Sequence, residues 1–408
     1  MMDFANKIFR GDRVIWMIFL FLCLISIVEV YSASSMLTFK TDFWQPIIRH
    51  VGFLLAGTVV VLVVHSMSPK LFWIFVVMLP FVWLLLAATQ FIGHTVNGAN
   101  RYIFGFQPSE LAKLSMISCA AFLLSRQKSK ISERSSFRWI WVLSILTCAL
   151  ILRDNFSTAA ILYIVVVMMM FLGQVSFKRM ATLIFVTLAF VAILFSFIWF
   201  FPDTAEKSGL RRGVLWVDRI KHYNEKQEIT NNKIPDEIFQ TTMAKIALAR
   251  GGIFGVMPGN SHLSDFLPQA YSDFIYAIII EETGILGGIF VLALYVFLFI
   301  RAGTIAGRCD KLFPKLLVMG CALMMVLQAL VNMAVSVGLM PVTGQPLPLV
   351  SRGGSSILIT CVFIGIILSV SRYENPRGVE QEELIDQEFE EERRLTLEGE
   401  QWDVQSAY

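Results

Sequence analysis

Charge is scarce in this 408-residue chain. Asp, Glu, Lys and Arg together make up 16% of it, against about 25% in an ordinary soluble domain. The shortage is concentrated in repeated runs of roughly 20 residues, long enough to cross the hydrocarbon core of a bilayer as a helix. A soluble enzyme is excluded on that pattern. Cysteine is also sparse, and its placement excludes a disulfide framework. Cys23, Cys119, Cys148, Cys321 and Cys361 lie inside apolar runs and Cys309 sits in a basic loop, so all six read as small packing residues. The five histidines, His50, His65, His94, His222 and His262, are scattered without metal-ligand spacing. No internal repeat is evident, which argues against an inverted-repeat transporter.

What is present is apolar mass: 56% of residues are hydrophobic, Phe alone occurs 34 times, and the mean hydropathy is +0.66. The expected fold class is all-α, a polytopic integral membrane protein with about ten transmembrane helices. The spans fall at roughly 14–36, 46–65, 71–92, 107–125, 138–152, 157–173, 180–201, 274–300, 316–338 and 355–371. Lys7 and Arg10 ahead of the first run imitate a signal peptide, but so many spans follow that it reads as a retained first helix. Lys and Arg collect in alternate short loops: Lys7, Arg10 and Arg13, then Lys70, then Arg126 to Arg138, Lys178 with Arg179, Arg301 to Lys315, and Arg372 with Arg377. The positive-inside rule puts those loops and both termini in the cytoplasm. Residues 1–373 are thus expected to form the membrane domain, with 202–272 as a large extracytoplasmic loop between spans seven and eight. Residues 374–408 form an acidic cytoplasmic tail, with twelve acids against three bases. It reads as a solvated segment or as an amphipathic docking helix. The remaining 373 residues carry about twelve net positive charges, which suits anionic lipid or an anionic substrate. No nucleic-acid partner is expected.

Three outward intervals are unusual. The first holds Arg101 and then Pro108-Ser109-Glu110, a helix start that sets Glu110 and Lys113 one turn apart on one face. That pair reads either as a local ion pair or as a site for a charged headgroup. The second, 202–272, contains Arg211-Arg212, which read as lipid-headgroup contacts, and a polar middle from Asn224 to Asn232. A short helix follows, with Pro235 near its start and Gly251-Gly252 as its stop, and then a Gly-rich turn up to Asn260. This interval ends at Asp273, a carboxylate at the mouth of span eight, where it serves either as a general base or as the helix N-cap. The third interval, 338–356, is too rich in Pro and Gly for a regular helix and is expected to line a cavity or re-enter the bundle. Inside the spans, Glu29, Glu281 and Glu282 are costly carboxylates, for which a structural or cavity-polar role is expected.

These stretches carry a resemblance. Asn97-Gly98-Ala99-Asn100-Arg101-Tyr102-Ile103, Gln107-Pro108-Ser109-Glu110-Leu111-Ala112-Lys113-Leu114, Leu267 to Phe274, Glu281-Glu282-Thr283-Gly284 and Pro346 to Ser356 occur in order over about residues 14–372. The chain resembles the SEDS family (shape, elongation, division and sporulation), its FtsW branch more than its RodA branch. One departure is Gln269, where the family usually has Glu. The resemblance implies a peptidoglycan glycosyltransferase that polymerises lipid II outside the cytoplasmic (inner) membrane at the division septum. Its implied partners are a class B penicillin-binding protein (an FtsI-like transpeptidase) and other divisome membrane proteins. It also implies that Asp273 is the essential loop aspartate. In that chemistry Asp273 takes the acceptor hydroxyl's proton. Arg101, Lys113 and Arg352 are the candidate cations for the leaving pyrophosphate, and Glu110 and Ser355 are further candidate substrate contacts. No particular cofactor follows from the residues, and no dedicated metal cage is expected. A divalent cation (Mg or Mn) bridging carboxylate and diphosphate is compatible with the chemistry. The competing readings are a lipid II flippase, a RodA-like elongation polymerase and a non-catalytic division scaffold.

Overall fold

A computed structural model describes residues 10–32, 44–92, 94–96, 99–103, 105–127, 130–152, 155–202, 204, 213–214, 216–217, 236–261 and 270–373. The acidic tail, Arg211, Arg212 and the polar segment 224–232 lie outside the described residues. The order is α1 (Arg13–Ser32), α2 (Trp44–Ser66), a 3-10 turn (Pro69–Trp73), α3 (Ile74–Val77), α4 (Leu79–Ile92), β1 (His94–Val96), β2 (Ala99–Tyr102), α5 (Pro108–Ser125), α6 (Lys130–Leu152) and α7 (Phe156–Leu172). It continues with α8 (Phe177–Phe200), α9 (Asp236–Gly251), α10 (Ala270–Asp273), α11 (Ile275–Arg308), α12 (Leu312–Ser336) and α13 (Gly354–Tyr373). Between α4 and α5 the chain makes a short antiparallel hairpin that pairs Thr95 with Asn100 and Val96 with Ala99.

Seven helices among the described residues are long and apolar enough to cross a membrane, and a pair bent by 43°, Pro69–Val77 with Leu79–Thr89, makes an eighth. The bend has a local cause. Pro80 lacks the N–H that would continue the helical ladder, and the chain breaks just before it. Two expected spans differ from simple hydrophobic crossings. α7 has only 17 residues. α5 carries Glu110, Lys113 and four serines, yet fourteen of its eighteen residues are buried. Other helices rather than lipid solvate α5, so it is the central post of the bundle.

The ends of the bundle are tied separately. At one end the Asp12 carboxylate accepts from Val14 N and Ile15 N, which caps α1, while its other oxygen takes Arg301 Nε at 2.7 Å. Ser369 Oγ donates to Met67 O at 2.6 Å at the same end. The starts of α5, α7, α11 and α13 meet at the opposite end, where the candidate site lies.

Candidate active site

Asp273 closes the four-residue α10, immediately before the long α11. The N-cap of α11 is not Asp273 but Phe274, whose side chain has no acceptor to offer. The cap alternative therefore gives way, because the short α10 shifts the helix start by one residue. The Asp273 carboxylate is half-buried, and Ser272 Oγ donates to its Oδ1 at 3.0 Å. Its Oδ2 faces Gly344, where an added Cβ would stand 3.8 Å away.

The loop between α12 and α13 is folded back into the protein, as the polar third interval requires. Leu347, Leu349 and Val350 are buried, and Leu349 is held at a φ of 65°. Buried backbone needs partners, and the helices supply them. Tyr295 Oη donates to Pro348 O, and Ser26 Oγ to Val350 O at 2.9 Å. Asn332 Nδ2 donates both to Gln345 O at 2.7 Å and to Asp273 O at 3.1 Å. Ser351 Oγ accepts from Leu347 N and donates to Ser272 O at 2.6 Å. Gln345 Nε2 reaches Thr158 Oγ1 at 2.9 Å, and Asn155 caps α7 through Thr158 N. The loop and the Asp273 segment are thereby stitched to the same two side chains, Asn332 and Ser351.

Glu110 and Lys113 join this assembly from α5. Their ion pair measures 2.8 Å and is buried. Lys113 Nζ also donates to Gln328 Oε1 at 3.0 Å, and Gln328 Nε2 donates to Pro346 O at 3.0 Å. The pair thus supports the loop that faces Asp273, and direct contact with a headgroup would require it to open. Arg352 follows Ser351 and is half-buried, and Ser355 is buried in the first turn of α13. Arg101 lies on β2, but its side chain is outside the described residues.

Glu281 and Glu282 are not part of that assembly. They lie two turns further along α11, where the helix is broken at Gly284 (φ 74°, ψ −178°). The turn after α9 docks into the break. Val256 N and Met257 N donate to the carbonyls of Glu281 and Glu282, and Ile285 N donates to Gly252 O. The side chains are engaged as well. Ser261 Oγ donates to Glu281 Oε2 at 2.6 Å, and Arg250 pairs with Glu281 Oε1 at 3.3 Å. Ser32 Oγ and Gly259 N bond Glu282 Oε1. Both carboxylates therefore fasten α9 and its turn to α11. Residues of the 202–272 interval reach well into the bundle instead of standing wholly above it.

Gln328 and Asn332 are the residues that sequence reasoning overlooked. Their signal was present: two amides four residues apart on one face, in the otherwise apolar run 316–335. Among the described residues no group of three or more His, Cys, Asp or Glu side chains could hold a metal ion.

A family model described as cell cycle protein, covering FtsW, RodA and SpoVE, matches residues 12–376. The probable peptidoglycan glycosyltransferase FtsW of Marinobacter nauticus is 36% identical over 289 residues, 68% of each chain. That of Trichlorobacter lovleyi is 31% identical over 387 residues, covering 91% of this chain and 96% of its own. Among solved structures, a chain from a peptidoglycan synthase complex that coordinates polymerization and crosslinking superposes with a TM-score of 0.71 at 22% identity. That match covers 90% of this chain and 99% of the other.

Proposed function

The chain belongs to the FtsW/RodA/SpoVE family of cell cycle proteins, and from that premise we propose that it is a peptidoglycan glycosyltransferase of cell division. It polymerises lipid II into β-1,4 glycan strands at the outer face of the inner membrane, at the septum. A class B penicillin-binding protein supplies the crosslinking step, within the divisome. The observation that carries the reading is the placement of Asp273. Its half-buried carboxylate faces the Gly344 backbone, and Asn332 and Ser351 bind both its segment and the opposing loop.

The step balances with one base. The acceptor sugar's 4-hydroxyl attacks the donor's anomeric carbon, its proton passes to the Asp273 carboxylate, and the bond from that carbon to the pyrophosphate oxygen breaks. The electron pair leaves with undecaprenyl pyrophosphate, and the single displacement inverts α to β. Arg352 and Arg101 are the cations offered to the leaving group, since guanidinium forks match phosphate oxygens. A Mg or Mn ion, if held at Asp273, would offset the same charge. Glu110, Lys113 and Gln328 act through the loop they hold at Pro346, and Ser355 sits where α13 begins below Arg352.

The test is purified protein with its transpeptidase partner and fluorescent lipid II, read as glycan polymer on a gel. Polymer formation is the expected result. Transport of lipid II across sealed vesicles with no polymer formed would replace this reading with that of a flippase.

A further inference from the structure

A groove lies at the other end of the bundle, between α6 and α8. The two helices leave a groove of about 310 Å³ with largely apolar walls, lined by Phe137, Trp141, Leu183 and Val186, with Lys178 and Arg179 at its rim. Arg134, Phe137, Arg138 and Trp141 are spaced three and four residues apart, so they share one face of α6. Against the cations Arg134, Arg138, Lys178 and Arg179, the described residues of the two helices hold a single acid, Glu133. That acid is already engaged: it pairs with Arg179 at 2.9 Å and accepts from Ser176 N at 3.1 Å. Lys178 is exposed and has no carboxylate partner among the described residues. Trp141 has a buried indole N–H without an acceptor among the described residues.

We propose that this groove binds one anionic phospholipid, with its phosphate at Lys178 and the basic rim and an acyl chain between α6 and α8. Two observations select that occupant. The rim has an excess of positive charge at the ends where both helices begin, and helix N-termini also favour anions. The apolar walls run from Lys178 to Val186, about 12 Å of helix, so charge and hydrocarbon contact follow one another as they do along a lipid. The site also explains a deficit in packing. Only 11% of the α8 span is buried, against 78% for α12 and α13, so lipid supplies much of the surface against which α8 rests.

The test uses the full chain reconstituted in bilayers containing brominated phosphatidylglycerol or brominated phosphatidylcholine, whose chains quench tryptophan. The Trp141 contribution is isolated as the difference from Trp141→Phe. The expected result is stronger quenching by phosphatidylglycerol at equal mole fraction. Lys178→Gln should weaken that preference about fivefold, the equivalent of roughly 1 kcal/mol per surface cation, and Lys178→Arg should retain it. Val186→Phe, which fills the groove, should lower quenching by both lipids. Equal quenching by the two lipids, or a preference indifferent to Lys178→Gln, would mean ordinary boundary lipid and overturn the proposal. Absence of quenching by either would show the groove to be closed or covered by protein, and would overturn it equally.

Discussion

Lys113 is a buried cation that makes sense only with both its neighbours. Glu110 balances its charge and Gln328 Oε1 accepts a further hydrogen bond from its ammonium. Removing one member of such a pair leaves an uncompensated charge, at a cost of about 3–5 kcal/mol. Lys113→Met should therefore lower the thermal stability of the purified protein sharply, while Glu110→Gln combined with Lys113→Met should recover most of the loss. A double variant no better than the single one would mean that the pair contributes something other than mutual compensation. Asn332 works through geometry instead of charge. Asn332→Leu strips a donor from Asp273 O and Gln345 O together, each left unsatisfied at about 1–3 kcal/mol. It should reduce both melting temperature and polymerisation. At this scale the sequence was informative about residue types and poor on partners. The Glu110–Lys113 pairing follows from spacing within one helix, whereas Gln328 meets Lys113 across 215 residues, a contact no local pattern encodes. At Asp273 a single residue of register moves the helix N-cap to Phe274.

Among the elements, the break in α11 and the turn that fills it form a single unit. A Cβ on Gly284 would lie 2.0 Å from Ile253 O, and one on Gly255 2.1 Å from Glu282 O, whereas Gly303 on the same helix has nothing within 4 Å. Gly284 and Gly255 also have positive φ. Gly284→Ala or Gly255→Ala should therefore undo the docking of α9, seen as loss of folded, monodisperse protein. Gly303→Ala should be neutral or stabilising by about 0.5–1 kcal/mol. Equal behaviour of the three variants would contradict the fastening role. The Gly-rich turn and the end of α9 at Gly251 were legible as a turn and a helix stop. The receiving surface was not, because a helix read from hydropathy is read as continuous. The bend before Pro80 was similarly hidden inside a hydrophobic run.

For the whole molecule, hydropathy recovered the helical order. It treated every helix as a lipid-facing span, however, and α5 shows why that fails: a helix solvated by other helices is free to carry charge and serine. The joined ends at Asp12–Arg301 and Ser369–Met67 put the start and finish of the described chain at one end. Single cysteines in a cysteine-free background provide the check on orientation. Arg10→Cys and Tyr373→Cys should react from the cytoplasmic side of sealed vesicles, and Asn260→Cys, on the exposed turn, from the other side or from neither. Reaction of all three from one side would contradict the assigned orientation.

The proposed chemistry stands or falls on Asp273 accepting the proton as the glycosidic bond forms. Purified wild-type protein and Asp273→Asn, each with its transpeptidase partner, should be compared for glycan polymer made from labelled lipid II under single-turnover conditions. Asp273→Asn is expected to fold and to bind its partner as wild type does, yet to polymerise about 10²–10⁴-fold more slowly. Equal polymer from the two proteins would contradict a base at this position.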